Sequence, residues 1–409
     1  MKKLLIATAA LAMVAGTAQA QSSVTVYGTF DLGFSDVDYK NIGGNTDTNA
    51  QRSASGLNAG GASANGALTA NRLGFRGTED LGGGMRASFN YELGFSGANV
   101  ANDSTTSAHS LNAAAARESN LTLTTAKAGS VKVGYGTTLV HGTMVGHRAI
   151  AASNMIGDLS YASDSISSAD SRIHLNMVRS QGITYYTPTV NGFNAAVHYG
   201  KQDDKTDATG SLEGQKNHAF QLNYAAGAFR LSAVTGEGTT AVKGALAVVG
   251  VDSTGTPGSP AVTAAETKTK VDVVSAQYTM GKFTFDAIYG KNTATNALTG
   301  AQSSKNDVMQ AGVRYALSGK TTLAAQYGEG EGEGTGANNA RRDRKGYQLA
   351  AIYSLSKRTN IYAAYGEQEM TYVDAASARS AGVVAAGTAG AAGTKEKASQ
   401  LAVGLRHSF

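Results

Sequence analysis

Residues 24–34 read Val24-Thr25-Val26-Tyr27-Gly28-Thr29-Phe30-Asp31-Leu32-Gly33-Phe34. Val24, Val26, Gly28, Phe30, Leu32 and Phe34 share one parity, and Thr25, Tyr27, Thr29, Asp31 and Gly33 the other. Drawn out as a strand, this segment has one apolar face and one wet face. The pattern returns at Met85, Ala87, Phe89, Tyr91, Leu93 and Phe95, with Arg86, Ser88, Asn90, Glu92 and Gly94 opposite. Sixteen such segments begin near Val24, Leu68, Met85, Ala116, Val131, Gly182, Phe193, His218, Ala228, Lys270, Phe283, Asp307, Thr321, Lys345, Thr359 and Ala398.

The connections between them alternate in length. Tight ones fall at 79–84, 126–130, 188–192, 225–227, 280–282, 317–320 and 354–358, and long ones rich in Gly, Asn, Ser, Thr and Ala fill the remaining gaps. Short turns at one end and long loops at the other suit a barrel that crosses a membrane, whereas a soluble sandwich has no reason to segregate them. Hydrocarbon tolerates no unpaired backbone amide, so strands there must close into a ring. At roughly ten residues per strand, more than half the chain is left for connections, which suits large external loops. The reading is an all-β, 16-stranded antiparallel transmembrane β-barrel.

Composition agrees. Met1-Lys2-Lys3, the apolar run from Leu4 to Gly16 and Ala18-Gln19-Ala20 have the three parts of a secretory signal peptide, so 1–20 is read as a leader and 21–409 as the barrel domain. Losing Lys2 and Lys3 leaves 33 basic against 30 acidic residues, too even a balance for nucleic-acid binding. After the leader, no run approaches the roughly 18 apolar residues of a membrane-spanning helix. The absence of Cys and a count of seven His remove disulfides and the usual soft metal sites. With 51 Gly, 18 Tyr and 3 Pro, the chain suits many strands joined by turns, and its 42% apolar content is thin for several soluble cores. A barrel needs only its outward face apolar. Tyr199, Tyr224, Tyr289, Tyr315, Tyr327, Tyr353 and Tyr365 recur near segment ends, where interfacial girdles would sit.

Three stretches carry a family resemblance: 24–28 (VTVYG), 71–84 (NRLGFRGTEDLGGG) and 403–409 (VGLRHSF). With them the chain resembles the general porins of Gram-negative bacteria, in particular the branch found in β- and some γ-proteobacteria. The resemblance implies a homotrimeric barrel in the outer membrane, surrounded by lipid and lipopolysaccharide, whose third external loop folds inward. Basic residues on the wall would then face acids on that loop. By position, Arg72, Arg117 and Arg179 are the candidate basic wall of the constriction. The third loop, from about His141 to Met177, supplies Asp158, Asp164 and Asp170 as candidate acids, together with His147, Arg148 and Arg172. Tyr135 stands after Gly134, where relatives usually place an arginine. Phe409 would be the outer-membrane assembly signal, read by the barrel assembly machinery.

Each candidate has a plainer reading. The arginines could be ordinary solvated lumen residues rather than one side of a transverse field. Glu329, Glu331 and Glu333 alternate with Gly in the seventh loop ahead of Arg341, Arg342, Arg344 and Lys345; a solvated, charge-balanced loop fits them better than a cation or lipopolysaccharide site. The Ala/Gly-rich stretch 375–394 reads as an external loop, and His141 and His147, six apart, as exposed or loop-packed. No cofactor motif, metal site or catalytic arrangement stands out, so the expected activity is passive diffusion of small hydrophilic solutes and ions, with a weak anion preference. The alternatives are a substrate-specific channel, an outer-membrane hydrolase and a soluble β adhesin.

Overall fold

The computed structural model describes residues 23–40, 51–57, 66–95, 115–150, 155–160, 179–206, 212–243, 265–297, 299–334, 341–373 and 395–409. The leader 1–20, the stretch 375–394, and Asp164, Asp170 and Arg172 lie outside them. The strands are β1 (Ser23–Lys40), β2 (Gln51–Leu57), β3 (Arg72–Gly82), β4 (Met85–Gly94), β5 (Ala115–Thr125) and β6 (Gly129–Thr137). After a short helix α1 (Leu139–Gly146) come β7 (Arg179–Tyr186), β8 (Phe193–Thr206), β9 (Leu212–Ala226), β10 (Phe229–Lys243), β11 (Ala265–Met280) and β12 (Phe283–Asn296). β13 (Gln302–Ala316), β14 (Thr321–Gly334), β15 (Arg341–Ser354), β16 (Thr359–Tyr372) and β17 (Lys395–Ser408) complete the sheet.

Seventeen strands make one antiparallel ring of sixteen positions. β2 pairs with β1 from Phe34 to Lys40 and β3 pairs with it from Ser23 to Thr29, so the two share one position. Between them, residues 66–71 leave the ladder and wrap Asp31. Asp31 accepts hydrogen bonds from Leu68 N (3.1 Å), Thr69 N (2.7 Å) and the Tyr362 hydroxyl (2.7 Å), while its own N–H donates to Asn71 Oδ1. The segment expected to begin near Leu68 thus enters the ladder only at Arg72, and the backbone N–H groups freed before it donate to Asp31 and to the Tyr362 hydroxyl, as burial requires.

The ring closes between β1 and β17, with Thr29 opposite Ser408 and Lys40 opposite Lys397. Gly28 and Phe409 exchange two backbone hydrogen bonds of 3.1 Å. A Cβ on Gly28 would collide with the Phe409 ring, so glycine here makes room for the aromatic that caps the seam.

Alternation sorts the faces as the sequence indicates. Val24, Val26, Phe30, Leu32 and Phe34 are exposed on the outside, as are Leu121, Val133, Ile183, Val197, Leu349 and Leu405 further round. Tyr199, Tyr289, Tyr327 and Tyr353 are exposed outward among them. No helix among the described residues is long and apolar enough to cross a membrane; the strands take that role.

Two features depart from the sequence reading. Glu329, Glu331 and Glu333 belong to β14 rather than a loop, and Arg341, Asp343 and Lys345 to β15. Register sets Glu329 against Lys345 and Glu333 against Arg341, which balances charge across the ladder. The strands therefore run further than their apolar stripes. Second, the inner face is not polar throughout. Ala196, Ala219, Val234, Val271, Val273, Ile288 and Val308 form a buried cluster with Leu139, Val140 and Met144 of α1 and with Leu159. An apolar patch on a wet inner wall is stable only when covered, and the segment after β6 covers it.

Candidate functional site: the inner wall

Arg72 opens β3 on the inner parity, with Gly74 and Arg76. Glu92 faces it across the β3–β4 ladder, two residues along from its direct partner Gly94. Arg117 reaches the same carboxylate by another route. The β4–β5 ladder slips between Glu92 and Leu93, so that Glu92 opposes Glu118 while Leu93 opposes Ala116. Arg117 is left unopposed, and this bulge turns its side chain inward although strict alternation would group it with outward Leu121. It lies over Gly94, where a Cβ would come within 3.0 Å of its Cδ.

The result is a three-charge knot. Arg117 Nε donates to Glu92 Oε1 at 2.6 Å, and Arg72 Nε stands 4.0 Å from Oε2. The Tyr27 hydroxyl donates to Glu92 Oε2 (3.0 Å) and Asn90 Oδ1 (2.8 Å), and the Arg76 guanidinium lies 5.0 Å from the centre of the Tyr27 ring. Glu92 is 11% exposed, while Arg72 and Arg117 keep 31% and 20% of their side-chain surface. Among the described residues on the inner face of β3–β6, Arg72, Arg76, Arg86, Arg117 and Lys132 outnumber Asp80, Glu92 and Glu118. Glu118 is held by Asn120, Thr137 N and the Thr137 hydroxyl at 2.6–2.9 Å. Lys132 was not singled out from the sequence, yet period-two alternation with Ser130 and Gly134 would have found it.

Arg179 does not join this group. It shares its parity with outward Ile183, whereas Ser180 and Thr184 point inward and hold His198 between them (3.0 and 2.8 Å). Tyr135 sits in β6 opposite Ser119 and Gln181, with no cation supplied there.

The segment after β6 lies against the opposite wall. Thr138 caps α1 by accepting from His141 N at 3.1 Å. The helix went unread because Leu-Val-His-Gly-Thr-Met-Val-Gly carries β-branched and Gly residues of poor helix propensity. α1 packs inside β9–β11. Gln221 donates to the Thr143 hydroxyl (2.7 Å), Ser275 meets His147 Nδ1 (3.0 Å), and His141 is buried, so both histidines are loop-packed. Asp158 was a candidate to face the arginines. Instead it is wholly buried in an ion pair with Arg148 (2.6 Å), their side chains 0% and 2% exposed, and it accepts from Ser160 N and Oγ. A carboxylate held in this way has no open surface toward the lumen.

A ring of sixteen positions, an apolar exterior and a charged interior partly covered by one loop describe an outer-membrane channel. The model of the Gram-negative porins matches residues 7–371. This chain belongs to the Gram-negative porin family. It is 45% identical to an outer membrane porin protein of Bordetella pertussis over 104 residues, 24% of this chain and 26% of that one. It is 33% identical to outer membrane porin protein 32 of Delftia acidovorans over 218 residues, 53% of this porin and 54% of the relative. The aligned part thus spans about a quarter and about half of these relatives. Among solved structures, the anion-selective porin from Comamonas acidovorans is similar at a TM-score of 0.62 and 22% identity, covering 95% of this chain and 100% of that one. OmpF of Salmonella typhi is similar at 0.58 and 16%, covering 94% and 97%. At these identities the likeness concerns the fold. The porin is a multi-pass β-barrel of the bacterial outer membrane.

Proposed function

We propose that this porin is a general diffusion channel of the outer membrane, passing small hydrophilic solutes and ions through water with a preference for anions. The observation that carries the reading is the Arg72–Glu92–Arg117 knot. One carboxylate shared by two guanidiniums leaves net positive charge on the wall of β3–β5. In a narrow aqueous lumen with low-dielectric walls, such an excess raises the local concentration of anions. Selection is by size and charge, which act on any solute crossing a water-filled lumen lined by charged side chains. Residues 1–20 act as the export leader and Phe409 as the residue that marks the chain for the barrel assembly machinery. The porin works as a homotrimer seated among lipid and lipopolysaccharide; OmpT, an outer membrane protein of Vibrio cholerae with a similar fold, is described in a trimer form. It is a channel and not an enzyme.

The test is single-channel recording in planar bilayers under a salt gradient. Conductance rising in near-equal triplets, with a reversal potential displaced toward that of chloride, is the expected result. Folded protein that passes no current overturns the proposal.

A further inference from the structure

We infer that a row of inner-wall glutamines positions the third loop and thereby decides along which side of the barrel solutes travel; the inference rests on the channel reading above. β13 to β17 each carry one buried glutamine on the inner face: Gln310, Gln326, Gln348, Gln368 and Gln400. Register interleaves them with glycines. Gln326 opposes Gln348, Gln348 opposes Gly366, Gly366 opposes Gln400, and Gln310 opposes Gly328.

The loop's main chain lies on this lattice. Ile150 N donates to Gln326 Oε1 (3.1 Å), Leu159 N to Gln310 Oε1 (3.1 Å) and Ile156 N to Gln400 Oε1 (3.0 Å). Gln348 Nε2 donates to the carbonyls of Met155 (3.1 Å) and Ile156 (2.9 Å), and Gln326 Nε2 ties the row together by donating to Gln348 Oε1 (2.9 Å). The glycines supply clearance. A Cβ on Gly366 would strike the Ile156 carbonyl, one on Gly312 would strike the Ala149 methyl, and one on Gly346 would stand 2.8 Å from the Gly157 carbonyl.

The choice of side chain has a chemical reason. A buried loop backbone presents both donors and acceptors, and a primary amide answers both without charge. A carboxylate or ammonium in the same place would satisfy only one kind of group and would add a field to the lumen. The row therefore fixes the loop against β13–β17 and leaves the field to the arginines of β3 and β5. Gln326, Gln348 and Gln400 are positioning residues. The Gln368 side-chain amide makes no hydrogen bond among the described residues and serves as the internal comparison.

The experiment records single-channel conductance and reversal potential for a Gln326→Leu/Gln348→Leu double variant and for Gln368→Leu. Releasing the loop widens the path and draws it away from the arginines. The double variant is expected to show conductance raised by roughly half or more and a chloride-to-potassium ratio moved toward one, with Gln368→Leu unchanged. Should the double variant fail to fold, Gln400→Asn, which shortens the reach to Ile156 N by one methylene, is expected to shift both readouts in the same direction. A folded double variant with parent conductance and selectivity overturns the inference. A parent protein that conducts nothing overturns the channel reading beneath it instead.

Discussion

Glu92 is the residue on which the inner wall turns. It neutralises part of two guanidiniums and is held in place by Tyr27, so the field depends on how its one charge is shared. Replacing Arg72 with Ser should lower the chloride-to-potassium permeability ratio about twofold, the effect of a unit charge worth roughly 0.5 kcal/mol across ~8 Å of water. Glu92→Gln should raise the ratio by a similar factor, since both arginines remain and lose their partner. Reversal potentials of the two variants check both, and equal values would remove the knot from the ion path. Arg148 and Asp158 form the other decisive pair. Arg148→Ala strands a buried carboxylate, which costs about 3–5 kcal/mol. Because the pair lies in the loop and not the ladder, the loss should show as noisy, flickering current while the barrel keeps its resistance to detergent and heat.

At the scale of elements, the sixteen starts read from alternation correspond to strands, because a period of two is written into every lipid-facing residue. Besides the helix α1 and the short strand β2, three things escaped that reading for physical reasons. The Arg117 bulge breaks the period at one residue, and only a pairing partner reveals it. The alternating Gly–Glu run of β14 has no apolar side chains because its outward face has already passed the tyrosine row at Tyr327, so it resembles a loop while remaining a strand. The inward valines of β11 spoiled the alternation at Val271-Asp272-Val273-Val274, a sign that something covers the wall there. The site was half legible. Arg72 and Arg117 meet at Glu92 on the inner wall, whereas Arg179 sits on the other parity and Asp158 faces Arg148. An element-scale prediction follows from the outer face: Leu349→Arg places a charge in the middle of the apolar band and should cost about 2–4 kcal/mol, measurable by urea unfolding from lipid bilayers.

For the whole molecule, the seam between β1 and β17 joins residues as far apart as Thr29 and Ser408. Phe409→Ala removes the ring that lies over Gly28 and packs 6.1 Å from Phe30. It should weaken closure by about 2 kcal/mol, read as a lower yield of the heat-modifiable band on unheated gels. The same seam also governs time. The other ladders join strands that follow one another along the chain or, for β1 and β3, lie on either side of the short β2, but this one pairs β1 with β17. Until β17 has been made and has reached β1, the growing sheet carries two raw edges that neither water nor lipid can quietly accept. Insertion must therefore wait for the whole polypeptide. An interrupted synthesis then leaves a species for proteases to clear, and not a smaller hole in the envelope.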